Sequence, residues 1–364
     1  MGAANNGINF MRDIKALTGL RGYAALMVCL HHYNYKKSGT WFFDLVAKGD
    51  WGVIVFFVLS GFILAYVYQD WFRKGWNRTE YFRFLRLRFA RVYPLHLLTL
   101  LLWLLLVALG RIGLGDNDTP YTFGLNLMLL HAWGFTPSIS WNQPSWSISS
   151  EFFCYLLFSM VIVASRKLHS GAKLILMVFL LLEPMYHPYA YLVMLVFHKL
   201  GIKFVIHQFD YGISVVDWFC TFAFGMLTFL VVKARPARKT LAELLVVMGL
   251  VLLGYGVAVN MSESGQIRVL VTFASALIIA GIHMESRVGD LLIGNRVAVF
   301  LGDVSYALYL SHIMLRQILN KSWPMWAQVL AALAVAAVLH YGFEKPCRNW
   351  LRSLFRKRTI VQPA

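Results

Sequence analysis

The chain has 364 residues, of which 59% are hydrophobic and only 14% charged. Apolar runs of about 20 residues recur along it, which marks a polytopic helical membrane protein rather than a soluble one. The formal charge of +17 lies in short segments between those runs, where the orientation rule for cytoplasmic loops accounts for it, and no nucleic-acid partner is implied.

In chain order the expected spans cover roughly residues 15–34, 50–70, 90–110, 146–165, 173–195, 211–232, 241–259, 267–283, 298–319 and 325–343, about ten in all. The segment from Tyr121 to Trp133 is apolar but only about 13 residues long, which suits a re-entrant or interfacial piece. With ten spans, the basic segments around Arg12 and Lys15, Arg73 to Arg91, Arg166 to Lys173, Lys233 to Lys239, Arg287 to Arg296 and Lys345 to Arg358 all fall on one side. That side is the cytoplasm, and both termini lie there. The expected fold is an all-α polytopic membrane protein, a single membrane-embedded domain over residues 1–364 with no fused soluble domain and no internal repeat. The first apolar stretch lacks a cleavage site and reads as a retained helix. Cys29, Cys154, Cys220 and Cys347 are scattered without metal-ligand spacing, so free thiols and no metal are expected.

Three stretches carry candidate chemistry. In LTGLRGYAALMVCLHHY, Leu17 to Tyr33, ionisable groups sit inside an apolar span, where they are costly. Eleven residues at about 100° each make three turns plus about 20°, so Arg21 and His32 share a helix face about 16 Å apart, while His31 points elsewhere. The plainer reading is that Arg21 snorkels to the headgroups and the histidines cap an interfacial end. In RFLRLRFARVYPLH, Arg83 to His96, Arg88 and Arg91 are i, i+3 neighbours at the start of a span. Together with Arg21, entering from the same side, they suit a phosphate site; topology and lipid-headgroup contact are the plainer roles.

In QPSWSISSEFFCYLLF, Gln143 to Phe158, Glu151 is a lone carboxylate in the outer half of its span. His32 lies at a matching depth, so a carboxylate-oriented imidazole could act as general base; pairing of Glu151 with an arginine or tyrosine is the structural alternative. Ser147 and Ser149 flank Glu151 and could hydrogen-bond it, although such serines mostly pack. In LGDVSYALYLSHIML, Ser305, Tyr309 and His312 form one polar stripe, and His312 either supports the chemistry or is satisfied by a backbone carbonyl. FFVLSGFILAY, Phe56 to Tyr66, carries a Ser-Gly step that permits close helix approach. Glu344 of FEKPCR could pair with the basic cluster.

Taken together, LRGYAALMVCLHH, FFVLSGFIL, RFARVYPL, SWSISSEFFCYLL, LGDVSYALYLSH and FEKP resemble the membrane-bound acyltransferase family 3, the O-acyltransferases of cell-surface sugars, in the family's order and over nearly the whole chain. The resemblance implies a ten-span bundle, acetyl-CoA or another acyl-CoA as cytoplasmic donor substrate with no bound cofactor, and a carbohydrate or lipid-linked oligosaccharide as acceptor. Residue by residue it places the family's essential arginine and histidine on Arg21 and His32, its paired arginines on Arg88 and Arg91, and its acidic residue on Glu151. The doubled histidine departs from the pattern. A role in exopolysaccharide synthesis in a bacterial inner membrane follows as an expectation, with membrane lipids as surroundings. A permease for an acylated or sugar substrate is the alternative from another class. It requires broken helices near the midplane, for which EPMYHPYAY, from Glu183, is the candidate.

Overall fold

The computed structural model describes residues 2–34, 40–136, 138–186, 199, 215–233, 238–259, 265–319 and 322–357. Their regular elements are all helical: α1 (Gly2–Tyr33), α2 (Trp41–Ala47), α3 (Trp51–Tyr68), α4 (Arg78–Ala108), α5 (Pro120–Leu127), α6 (Trp146–Arg166) and α7 (Ser170–Tyr186) precede α8 (Val215–Val232), α9 (Lys239–Ala258), α10 (Gly265–His283), α11 (Arg287–Ile293), α12 (Arg296–Ile318), α13 (Met325–Leu339) and α14 (Lys345–Lys357). Among the described residues, 8 helices are long and apolar enough to cross a membrane; of the two remaining expected spans, α1 covers the first, and α7 covers the described part of 173–195. The protein is an all-α polytopic membrane protein. From residue 187 onward, the expected broken helix after Glu183 lies outside the described residues.

Two boundaries differ from expectation for local reasons. α4 begins at Arg78, a dozen residues before its expected span, because Asn77 caps it: its side chain accepts the Glu80 N–H at 3.1 Å, satisfying an orphan first-turn donor. All the arginines of that stretch are therefore helical. The short apolar segment forms only the 8-residue α5. It starts in a Thr119–Thr122 capping box with Pro120 in its first turn and is followed by Leu129 at φ +59°, so it does not cross.

The chain divides into two compact units, residues 1–67, 165–188 and 220–305 forming the first and residues 68–164, 189–219 and 306–364 the second. In the first, helices touch through glycines, as expected where lipid tails remove the hydrophobic drive between helices and close van der Waals packing must hold them. A Cβ on Gly302 of α12 would overlap the Thr18 carbonyl oxygen of α1, and one on Gly22 would overlap the Gly302 nitrogen. The Ser-Gly step of α3 behaves as its sequence indicates: a Cβ on Gly61 would strike the Phe222 carbonyl of α8, and one on Gly225 the Val58 carbonyl. Gly61→Val is accordingly expected to destabilise the protein by about 1–3 kcal/mol through overpacking. Thermal unfolding of the detergent-solubilised protein checks this, and an unchanged midpoint counts against the close crossing.

The second unit is built on α4, with Leu100, Trp103, Ile112, Trp141, Ile313 and Met314 forming a buried cluster. Asn142, fully buried, ties its parts together through Nδ2, which donates to Thr99 Oγ1 and to the Leu310 carbonyl, each at 3.1 Å. α13 passes through a π-helical turn, His340–Glu344, into α14, which packs back on α4.

Candidate active site

In the first unit, the Arg21 guanidinium is held by the protein rather than extended to headgroups. Its Nη2 donates to the Gly302 carbonyl at 2.7 Å and its Nε to the same oxygen at 3.3 Å. Ser305 Oγ donates to that carbonyl too, at 2.7 Å, so the arginine stretch of α1 and the polar stripe of α12 meet at one atom. Nine residues past Gly22, the histidines divide. His31 Nδ1–H donates to the Ala47 carbonyl at 2.9 Å and fastens the end of α2 to α1. His32 Nδ1–H donates to its own helix, at the Val28 carbonyl, also at 2.9 Å. A carbonyl can only accept, so a neutral His32 ring carries its basic lone pair on Nε2. The two rings meet edge to face with centroids 5.0 Å apart.

In the second unit, Glu151 hydrogen-bonds Tyr155 one turn along α6, and Tyr306 and Tyr309 of α12 lie within its electrostatic reach. Tyr155 also senses Arg88. Arg88 Nη2 donates to the Tyr68 hydroxyl at 2.7 Å, and its guanidinium lies 4.9 Å from that ring's centre. Its Nε is buried with no partner among the described residues. Arg91 Nη1 donates to Glu344 Oε1 at 2.6 Å.

Glu344, only 2% exposed, also accepts from His340 Nδ1 at 2.8 Å and from Arg348 Nη1 at 3.2 Å. The expected pairing of Glu344 with the basic cluster is therefore present. Arg352, one turn beyond Arg348 on α14, lies within electrostatic reach of both Arg88 and Arg91. Two guanidiniums on α4 and α14, Arg91 and Arg348, thus share one buried carboxylate, with Arg88 and Arg352 within electrostatic reach beside them. Like charges at this separation repel, and the Glu344 carboxylate offsets that repulsion for Arg91 and Arg348.

Ser147 and Ser149, beside Glu151 on α6, bond other groups. The one hydroxyl proton of Ser149 goes to the Leu129 carbonyl at 2.7 Å, and its oxygen accepts the Ala132 N–H at 3.1 Å. It pins the turn after α5. Ser147 Oγ bonds the Pro144 carbonyl at 3.2 Å and the Tyr309 hydroxyl. His312, 1% exposed, donates Nδ1–H to the Tyr309 carbonyl at 2.6 Å. Below these, His131 bonds Ser145 Oγ at 3.1 Å and stacks on His96; burial pushes its imidazole down to about 3, so the ring is neutral.

Arg21 and His32 belong to the first unit; Glu151, Arg88, Arg91, Tyr309 and His312 belong to the second. Sequence reading missed Tyr155, Tyr306, His340, Arg348 and Arg352. A signal for the last two existed: they stand at i, i+4 in the strongly amphipathic KPCRNWLRSLFRK, on the helix face that turns to α4.

A polytopic helical protein with a basic-Nε2 histidine in one unit and a guanidinium cluster beside a carboxylate–tyrosine group in the other has the parts of a membrane-embedded group-transfer enzyme. Comparison with known proteins says which kind. Residues 14–343 match the acyltransferase 3 family, described as an acyltransferase domain, and the chain belongs to that family. It is similar to acyltransferase MdmB of Streptomyces mycarofaciens, with 28% identity over 96% of this chain and 94% of that protein. It is also similar to protein 2 in the picA locus of Rhizobium radiobacter, with 38% identity over 24% of this chain and 41% of that protein. No solved structure matches significantly. The protein is a membrane acyltransferase.

Proposed function

We propose that the protein moves an acyl group, acetyl first among them, from acyl-coenzyme A on the cytoplasmic side to a hydroxyl of an extracytoplasmic or lipid-linked sugar, in surface polysaccharide synthesis at a bacterial inner membrane. The observation that carries this reading is the arginine cluster of α4 and α14, where the Arg88 Nε is buried with no partner among the described residues and Arg88 is linked through Tyr155 to Glu151. Arg88, Arg91, Arg348 and Arg352 hold the donor's phosphates, since guanidinium forks match phosphate oxygens. Arg21, docked on the Gly302 carbonyl, fastens α1 to α12 within the first unit.

His32 Nε2 takes the proton of the acceptor hydroxyl as its oxygen attacks the thioester carbonyl. The C–S bond then breaks, and the departing thiolate receives the proton from His32, giving ester and free coenzyme A. In the second unit Glu151 accepts the Tyr155 O–H, which leaves the Tyr309 hydroxyl suited to the oxyanion. Support comes from the family, which transfers acyl groups, and from residue types that fit each step.

Purified full-length protein in nanodiscs, acetyl-CoA and detection of the free thiol test this directly. Turnover stimulated by sugar acceptors supports it; absence of both turnover and coenzyme A binding would reject it in favour of a permease. Arg88→Ala is expected to raise the KM for acyl-CoA about 10- to 100-fold, the loss of a charge-assisted hydrogen bond of about 1.5–3 kcal/mol, with a smaller change in kcat. Arg352→Gln, at an exposed position, is expected to raise KM less. A KM unchanged in both variants would remove the phosphates from this cluster.

A further inference from the structure

At the end of α4 opposite its arginines, the second unit contains a cleft of about 420 Å³, a volume within the range of small-molecule sites. Trp103, the loop carrying Asp116 and Asp118, Trp141, Gln143 and Gln317 line it. The lining holds two carboxylates and no cation, so its chemistry is the reverse of the arginine cluster and disfavours a phosphorylated ligand.

Asp118 is part of the frame. Its Oδ2 accepts the Gly115 N–H at 2.9 Å and its Oδ1 the Trp141 N–H, while the Trp141 indole N–H donates to Thr122 Oγ1 at 3.1 Å. These bonds hold Trp141 at φ +55°, a setting costly for a bulky residue and kept only where the surroundings over-determine it.

Trp103 differs. It is 4% exposed, and its indole N–H is buried with no hydrogen-bond partner among the described residues, which leaves a desolvated donor uncompensated. Asp116, Gln143 and Gln317 stand exposed around it. A ligand matched to this lining offers an acceptor to a buried N–H, hydroxyl donors to a carboxylate, both kinds of group to amides, and a weakly polar face to an indole. A sugar ring supplies all four.

We propose that this cleft is a sugar-binding subsite that takes an uncharged, hydroxyl-rich ring. It deepens the function proposed above, resting on that reading in assigning the sugar to the acceptor, but the binding itself needs neither donor nor turnover.

Saturation-transfer NMR on the full-length protein in nanodiscs tests it, with the methyl glycosides of glucose, galactose and rhamnose as neutral probes and glucose 6-phosphate and glucosamine as charged ones. At least one neutral glycoside is expected to bind. Asp116→Asn and Gln317→Ala, at exposed positions that leave the fold intact, are each expected to weaken it about three- to tenfold, as is Trp103→Phe, which keeps a ring and removes the N–H. Glucose 6-phosphate is expected to bind more weakly than the best neutral probe. The subsite is overturned if no neutral glycoside binds, if the three variants bind like wild type, or if only glucosamine binds. Turnover that persists without glycoside binding removes the subsite and keeps the transfer; glycoside binding that persists without any turnover does the opposite.

Discussion

His32→Ala is expected to lower acyl transfer by about two to four orders of magnitude, the usual worth of a positioned general base, while leaving the KM for acyl-CoA nearly unchanged. The neighbouring His31→Ala is expected to retain most of the turnover and to lower the thermal midpoint instead. The contrast follows from the two hydrogen bonds. His32 spends its Nδ1–H on the Val28 carbonyl one turn back in the same helix, a bond that orients the ring and sets Nε2 as the base. His31 spends the equivalent proton on Ala47, 16 residues away, close to where a Cβ on Gly49 would overlap the Met27 carbonyl of α1. Removing His31 therefore loosens the packing of α2 and the start of α3 on α1, at about 1 kcal/mol for a hydrogen bond. Thiol-release kinetics on both variants, with their unfolding midpoints, decide the matter. Turnover within threefold of wild type in His32→Ala would dismiss the general-base role, and a large kinetic defect in His31→Ala alone would move that role to the other ring.

Glu344→Ala is expected to cost about 3–5 kcal/mol of stability, since it strips the carboxylate from a buried site where cations remain. Arg91 at 2.6 Å and Arg348 at 3.2 Å share one oxygen, and His340 at 2.8 Å binds the other. Without the carboxylate, two guanidiniums face each other with Arg88 and Arg352 close by, and the π-helical turn that leads into α14 loses its internal bond. Because α14 carries Arg348 and Arg352, the donor KM is expected to rise along with the loss of stability. The double variant Arg91→Met/Glu344→Met is expected to recover part of the stability but not the donor affinity, because it removes one of the two guanidiniums left uncompensated and leaves Arg348. Thermal unfolding and acyl-CoA titration on the three proteins measure each part. A Glu344→Ala midpoint equal to wild type would mean that the carboxylate does not neutralise this cluster.

The eight apolar helices, together with α1 and α7, lie where hydropathy places them, and the length of Tyr121 to Trp133 foretells a piece that does not cross. The pairing of Glu344 with the arginines and the close approach at Gly61 were likewise readable, the first from charge and the second from a small residue in an apolar helix. The start of α4 was placed late because its first three turns are polar and are held by the Asn77 cap rather than by burial. For the serines beside Glu151, adjacency on a helix says which groups are near, not which acceptor takes a single hydroxyl proton, and for Ser149 the Leu129 carbonyl wins.

By itself, then, the sequence determined the class of protein, the helices, the shared face of Arg21 and His32, and the residue types available for acyl transfer, because hydropathy and the 3.6-residue period act over one helix at a time. Tertiary structure alone decided the partners. Arg21 finds a carbonyl 281 residues away and Arg91 a carboxylate 253 residues away, and Arg352 joins the arginines of α4 because α14 folds back on that helix. Partner choice depends on which helices pack and at what rotation, and side-chain volumes and glycine contacts across the whole unit set that together.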